Sequence, residues 1–399
     1  MKILVVCQYY YPEPVRIADI CEELVKRGHE VTVLTGIPNY PMGKIHKDYR
    51  HGKKRDENIN GVHVIRCFTI GRRHGAFFRV LNYFSYPLSA MLKIPKLDKD
   101  FDVVFVNQLS PVMMAWPAIK YKKKYKKKLV LYCLDLWPES LEAGGIKKGN
   151  LVYKLFHWIS EKTYKQADRL LVTSRTFNKY FEEEFGMNSE EIIYLPQYAE
   201  DLFSNMESNM DKEKTPDDEY NFVFAGNVGK AQSVETIIEA ANLLKDKKNI
   251  KFHIVGNGSA LEHCKEMAKE YGLTSVIFHG RRPVEEMPKY YAMADAMLIT
   301  MFDNEMISKT LPGKVQTYMA AGKPIIGAIN GETKRVIEEA KCGICGDANK
   351  SDEFANNIIN FISRENDKKL MGVNARMFYE ENFKKDIFMA GLKENILFR

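Results

Sequence analysis

The sequence predicts an α/β protein built from two Rossmann-like domains, and three observations lead there. Apolar strand-like runs alternate with helical patterns almost from end to end, as parallel sheets with crossover helices require. At 399 residues the chain exceeds what one hydrophobic core usually organises. Between its halves, residues 200–219 are rich in Asp, Glu, Asn, Ser and Lys and lack apolar periodicity, which marks an interdomain connection.

Strands are expected at Lys2–Cys7, Glu30–Thr35, Val62–Arg66, Val103–Asn107, Leu129–Leu134 and Arg169–Thr173 in the first half. In the second half they are expected at Asn221–Ala225, Lys251–Val255, Val276–His279, Ala296–Thr300 and Pro324–Ala328. These place a first domain at residues 1–200, a second at 201–380 and a terminal helix at 381–399. Residues 374–398 carry aromatic and aliphatic side chains at helical spacing, so one or two helices end the chain, packed on their own domain or crossing back to the first. Open α/β sheets bind ligands outside the carboxyl ends of their strands, so two such domains facing a central cleft put the chemistry in that cleft.

The most informative segment is Ser308–Ile326. Lys309, Lys314 and a Pro312-Gly313 turn precede a short helix that runs into a strand, so N–H groups, helix dipole and ammonium groups are aimed at one anion. The turn after the expected strand Asn221–Ala225 forms a second cradle from Gly226, Asn227, Gly229, Lys230 and Gln232, with Ser233 as the cap of a helix at Val234–Lys245. Gly256-Asn257-Gly258-Ser259 and Arg281-Arg282 end two further strands. Tight turns with surface lysines are the plainer reading of each piece taken singly. Dinucleotide binding is disfavoured, because Gln8–Pro14 has no glycine after the first strand and Gly256-Asn257-Gly258 lacks the third.

In the first half, Asn107 and Gln108 end one strand and Asp135-Leu136-Trp137-Pro138-Glu139-Ser140 follows another. Asp135 stands where a general base or hydroxyl-orienting group acts; an Asx-turn or helix cap is the structural alternative. Glu13 and Arg16, after the first strand, line the same side or pair with each other. Asp98-Lys99-Asp100 lies in a Lys-rich connection before a strand and is not read as a metal site.

The net charge is +7, and seven lysines fall within Lys120–Lys128. That run is a solvated helix end or a face for phospholipid headgroups. Residues 71–88 are aromatic and basic, including Arg72, Arg73, His74, Phe77, Phe78, Arg79 and Phe84, and suit either core packing or a membrane interface. The first residues read as a buried strand with no signal-peptide pattern, and no apolar run is long enough to span a bilayer. The expected location is therefore the cytoplasm, with peripheral attachment at the inner face of the cell membrane. Seven irregularly spaced cysteines fit reduced thiols, and Cys342-Gly343-Ile344-Cys345 is a lone CxxC.

These motifs together resemble the family-4 glycosyltransferases of the GT-B fold, and within them the WbuB-like group. The resemblance covers nearly the whole chain and is carried by Gln8–Glu13, Gly36–Pro41, Asp135–Ser140, Gly226-Asn227 and Pro312–Pro324. It implies a metal-independent, hexosyl-transferring enzyme without cofactor. The donor is a UDP-sugar, with N-acetyl-L-fucosamine or a related amino sugar as one option, and the acceptor is a lipid-diphosphate-linked saccharide of O-antigen, capsule or exopolysaccharide assembly. An anionic membrane is a further partner, and no nucleic acid is expected. Asp135 is the catalytic candidate; Gly226, Asn227, Gly229, Gln232, Arg282, Lys309 and Lys314 are candidates for the nucleotide sugar, and Glu13, Arg16 and Glu139 for the acceptor side. The chain departs from the family at Lys309 and Thr317, where many members carry glutamates, at Asn227 and Gln232, which stand roughly where Arg and Lys often hold the diphosphate, and at Leu134, where many carry histidine. Two other classes fit the same residues: a nucleotide-sugar epimerase or hydrolase, and a noncatalytic nucleotide-sugar-binding protein.

Overall fold

The computed structural model describes residues 1–40, 42–72, 75–206 and 219–397. Arg73, His74 and most of the expected interdomain connection lie outside these residues. The chain divides into two compact units, residues 1–195 with those from 391 onward, and residues 196–390. The terminal helix Lys385–Ile396 therefore begins in the second unit and ends in the first, as a crossing helix must.

In the first unit the strands are β1 (Lys2–Val6), β2 (Glu30–Thr35), β3 (Asp56–Ile59), β4 (Val62–Arg66), β5 (Val103–Gln108), β6 (Lys128–Cys133), β7 (Arg169–Val172) and β8 (Ile192–Tyr194). They lie in the order β3-β4-β2-β1-β5-β6-β7-β8, parallel except for the β3–β4 hairpin. Ile3, Leu4, Val5 and Val6 of β1 and Val103–Val106 of β5 are all buried, the continuous apolar reading of a strand covered on both faces. The chain turns from building one side of the sheet to the other at β1 and β5. Helices α1 (Ile17–Lys26), α2 (Ala76–Lys93), α3 (Trp116–Tyr125), α4 (Leu151–Tyr164) and α5 (Arg175–Phe185) make the crossovers.

The second unit holds β9 (Tyr220–Ala225), β10 (Ile250–Val255), β11 (Val276–Gly280), β12 (Ala296–Thr300), β13 (Ile325–Ala328) and β14 (Gly343–Gly346). All are parallel, in the order β11-β10-β9-β12-β13-β14, so the switch point falls between β9 and β12. Successive side chains of a strand face opposite sides, and β9 divides accordingly: Phe222 and Phe224 enter one core, Val223 and Ala225 the other.

Three strands escaped the sequence reading. β3 reads Asp-Glu-Asn-Ile, too polar to alternate, and survives as an edge strand paired antiparallel to β4. β8 has only 3 residues. β14 is Gly-Ile-Cys-Gly and takes in most of the lone CxxC; Cys342 is buried just before it and Cys345 sits on the strand.

Candidate active site

The second switch point is built by a divergence of strands. β12 pairs with β9 only at Phe222 and Val223, leaving the end of β9 without a strand neighbour on that side. Tyr318, from the helix Gly313–Ala320, fills the gap: its hydroxyl accepts from the Ala225 N–H at 3.1 Å and donates to the Ala225 carbonyl at 3.0 Å. One turn earlier on the same helix, the Lys314 ammonium lies 4.1 Å from the centre of the Phe224 ring. It is buried and has no hydrogen-bond partner among the described residues. Burial alone pushes its pKa down to about 7.

Backbone with no side chain lies beside that ammonium. Gly226 has φ +142°, and a Cβ there would stand 2.9 Å from Lys314 Nζ. A Cβ on Gly256 would stand 1.8 Å from the Gly226 carbonyl oxygen, and one on Gly258 2.2 Å from that of Val228. Glycines thus allow the ends of β9 and β10 to interlock, reinforced by Val228 N–H to Asn257 O and Ala260 N–H to Val228 O. Asn227 donates to Gln232 across the loop at 3.0 Å, over Gly229, and the Gln232 carbonyl is held by Thr300 at the end of β12. Gly226, Asn227, Gly229, Gln232 and Lys314 therefore come together as one cradle.

Other expected members lie differently. Lys309 follows the short helix Glu305–Ser308 and pairs with the exposed carboxylate of Glu305 at 2.8 Å. Arg282 is exposed, its Nε donating to the His279 carbonyl. Ser233 does not cap the next helix: it takes the left-handed conformation with φ 42°, its hydroxyl meets Thr236 and Asn349, and the helix starts at Glu235 after Val234. Thr317 bonds back to the Gly313 carbonyl.

In the first unit Asp135 follows β6. Its carboxylate accepts from the hydroxyls of Ser110, after β5, and Ser140, at 2.6 Å. The Trp137 indole N–H donates to Ser110 Oγ at 2.7 Å, which turns the Ser110 proton toward the carboxylate. Burial raises the Asp135 pKa, opposed by the two hydroxyls and by the charge of Arg72. The carboxylate is thus held by side chains, not by the backbone N–H groups of a helix cap.

Glu13 is buried after β1, where it accepts from the backbone N–H of Asn39 and Tyr40 at 2.7 Å each and of Tyr10 at 3.1 Å. It ties the loop after β2 to the loop after β1, and burial pushes its carboxyl up to about 7 against the pull of those amides. Arg16 begins α1, where its charge acts on the Tyr132 phenol of β6. Glu139 is buried, bonded by the Tyr153 hydroxyl and 3.5 Å from Lys148 Nζ. Asp100 of the D-x-D pairs with Lys2 at the opposite, amino-terminal end of β1.

Ser110 and Arg72 escaped the sequence reading as members of the site. Arg72 has its guanidinium 5.7 Å from the centre of the Tyr83 ring, and its charge also acts on Tyr9. The signal for Ser110 was present: Ser110-Pro111 follows β5 much as Trp137-Pro138 follows β6.

Each unit is a doubly wound sheet of the kind that binds ligands at the carboxyl ends of its strands, one with a glycine-lined turn beside Lys314 and the other with Asp135 after β6. Two family models match: the glycosyl transferase 4-like domain over residues 14–197 and glycosyl transferases group 1 over 205–378. The putative colanic acid biosynthesis glycosyl transferase WcaI of Escherichia coli is 26% identical over 344 residues, 81% of this chain and 82% of that one. The probable glycosyltransferase WbjE of Pseudomonas aeruginosa is 28% identical over 239 residues, which span 58% of each chain. Among solved structures, Anabaena HepE in complex with UDP superposes with a TM-score of 0.74 at 15% identity, covering 99% of both chains. The chain belongs to the family-4 glycosyltransferases with the GT-B fold.

Proposed function

We propose that the protein moves a sugar from a UDP-sugar to a lipid-linked saccharide during assembly of a surface polysaccharide such as O-antigen or capsule. The observation that carries this reading is the buried, unpartnered ammonium of Lys314 beside Gly226. An ammonium taken out of water without a counter-charge is costly, and a diphosphate at the end of β9 supplies that charge. The UDP held by HepE and the polysaccharide named for WcaI support donor and pathway class. An N-acetyl-L-fucosamine-type amino sugar is the donor sugar suggested by resemblance.

Transfer breaks the bond from the anomeric carbon to the diphosphate and forms one to the acceptor oxygen. Negative charge grows on the departing UDP, and Lys314 with the N–H groups around Gly226 and Asn227 stabilises it without a metal. Asp135, its basicity raised by burial, takes the acceptor hydroxyl proton, with Ser110 and Ser140 holding the carboxylate until the acceptor arrives. Glu13 fixes the loop that carries Tyr40, and Arg72 supplies positive charge beside Asp135. An anionic membrane carrying the acceptor is the partner that Phe77, 70% exposed on α2, and the lysines of α3 suit.

Product analysis with UDP-sugars and a lipid-diphosphate saccharide is the test. A lengthened lipid-linked saccharide supports the reading; free sugar, an epimerised donor or an unchanged donor selects hydrolase, epimerase or binding protein in turn.

A further inference from the structure

The lysine run of α3 sorts by helical period in a way its sequence conceals. Lys122 turns to Asp168 at 2.7 Å and donates to the Gln166 carbonyl. Lys120, Lys123 and Lys124 share the other face, and at its amino-terminal end the same face carries Trp116 and Ile119. Those five residues and Met91 of α2 line an open cavity of about 530 Å³. No carboxylate lines it, and neither Lys123 nor Lys124 forms an ion pair among the described residues. Lys120 Nζ bonds the Met91 carbonyl, and Trp116 packs on Phe84 at 6.1 Å, so α2 and α3 together form the floor. Near Met91 on α2, Leu88 and Leu92 are 50% and 75% exposed.

An apolar trough that ends in exposed ammonium groups matches an amphiphile with a hydrocarbon chain and an anionic head. Apolar groups in water at Trp116, Ile119, Leu88 and Leu92 gain from burial, while the lysines keep their solvation and gain a phosphate. We propose that this groove takes an acyl chain of an anionic phospholipid, with the headgroup phosphate on Lys123 and Lys124. This binding does not depend on glycosyl transfer, and it is more specific than charge adsorption to a surface. It predicts that one chain leaves the plane of its leaflet to contact Trp116.

The chain's three tryptophans make that contact readable. Trp158 is exposed and is removed as Trp158→Phe, and Trp137 is fully buried, so Trp116 is the half-exposed reporter that remains. Vesicles of equimolar phosphatidylglycerol and phosphatidylcholine, brominated on the acyl chains, are expected to quench its emission in a saturable way, and pure phosphatidylcholine vesicles to leave it unchanged. The surface variant Lys123→Glu/Lys124→Glu is expected to weaken vesicle affinity on the order of tenfold or more. Ile119→Asp is expected to abolish quenching while keeping the circular dichroism spectrum and the denaturant midpoint of the parent chain, which report that it folds. Vesicle binding without quenching means bare electrostatic adsorption and overturns the proposal. So does quenching of equal strength in phosphatidylcholine alone, or quenching that survives Ile119→Asp. Failure of UDP binding bears on the proposed function only, because no step of this assay uses nucleotide.

Discussion

Lys314 and Asp135 are both half-buried ionisable residues near the carboxyl ends of parallel strands, and the fold treats them in opposite ways. Asp135 is given two serine hydroxyls, one of them oriented by Trp137. Among the described residues, Lys314 Nζ meets the Phe224 ring and the Gly226 backbone and has no hydrogen-bond partner. The carboxylate is satisfied by its own chain, so in the reaction proposed above a substrate hydroxyl would have to displace a serine. The ammonium would be satisfied by the proposed diphosphate. On that proposal one site is completed by its ligand and the other rearranged by it, and substitutions at the two are expected to differ in kind.

The largest effect falls on turnover. Asp135→Asn keeps the volume and part of the hydrogen bonding but removes basicity, so turnover is expected to fall roughly 10²-fold or more with UDP affinity unchanged. Survival of turnover together with lost stability would make Asp135 a structural carboxylate and break the comparison.

The next effect appears in stability against pH, in the absence of nucleotide. The folded pKa of Lys314, about 7, lies below its ordinary 10.5, so between those values the unfolded chain binds the extra proton and stability rises with pH. The slope from this one group reaches at most about 1.4 kcal/mol per pH unit. Lys314→Met is therefore expected to be more stable than the parent chain below pH 7, with an advantage that shrinks toward pH 10. Denaturant titrations across that range check it, and equal pH dependence in both proteins would show the ammonium to be solvated.

Gly226→Ala sharpens the geometry. Its Cβ meets Lys314 Nζ at 2.9 Å in a conformation that suits glycine, so UDP affinity is expected to fall about tenfold with a stability loss of about 1 kcal/mol. Lys309→Ala is the smallest change. Its exposed i,i+4 pair with Glu305 leaves an expected cost below about 1 kcal/mol in either stability or UDP binding.

Most strands and the cradle were legible because they rest on local pattern. Apolar runs mark β1, β5, β9 and β12, and Gly226-Asn227 and Pro312-Gly313-Lys314 each lie at a strand or helix end. What the sequence concealed depends on contacts between distant segments. Ser110 meets Asp135 across 25 positions, and Tyr318 reaches Ala225 across 93. Arg72 belonged to an aromatic, basic stretch that reads as core packing or a membrane interface, and only the fold brings its charge to Asp135. Ser233 fails as a cap because Thr236 and Asn349 take its hydroxyl, a competition that no local rule weighs.

Calorimetry of UDP binding to the parent chain and to Lys314→Met tests the central claim most directly. Loss of a charge-assisted contact is expected to weaken UDP by about 1.5–3 kcal/mol. At pH 8 the parent chain, its Lys314 largely neutral before binding, is also expected to take up a proton, read as a dependence of the heat on buffer ionisation enthalpy. Equal UDP affinity in the two proteins, with the same heat in every buffer, would contradict the assignment of Lys314 to the diphosphate.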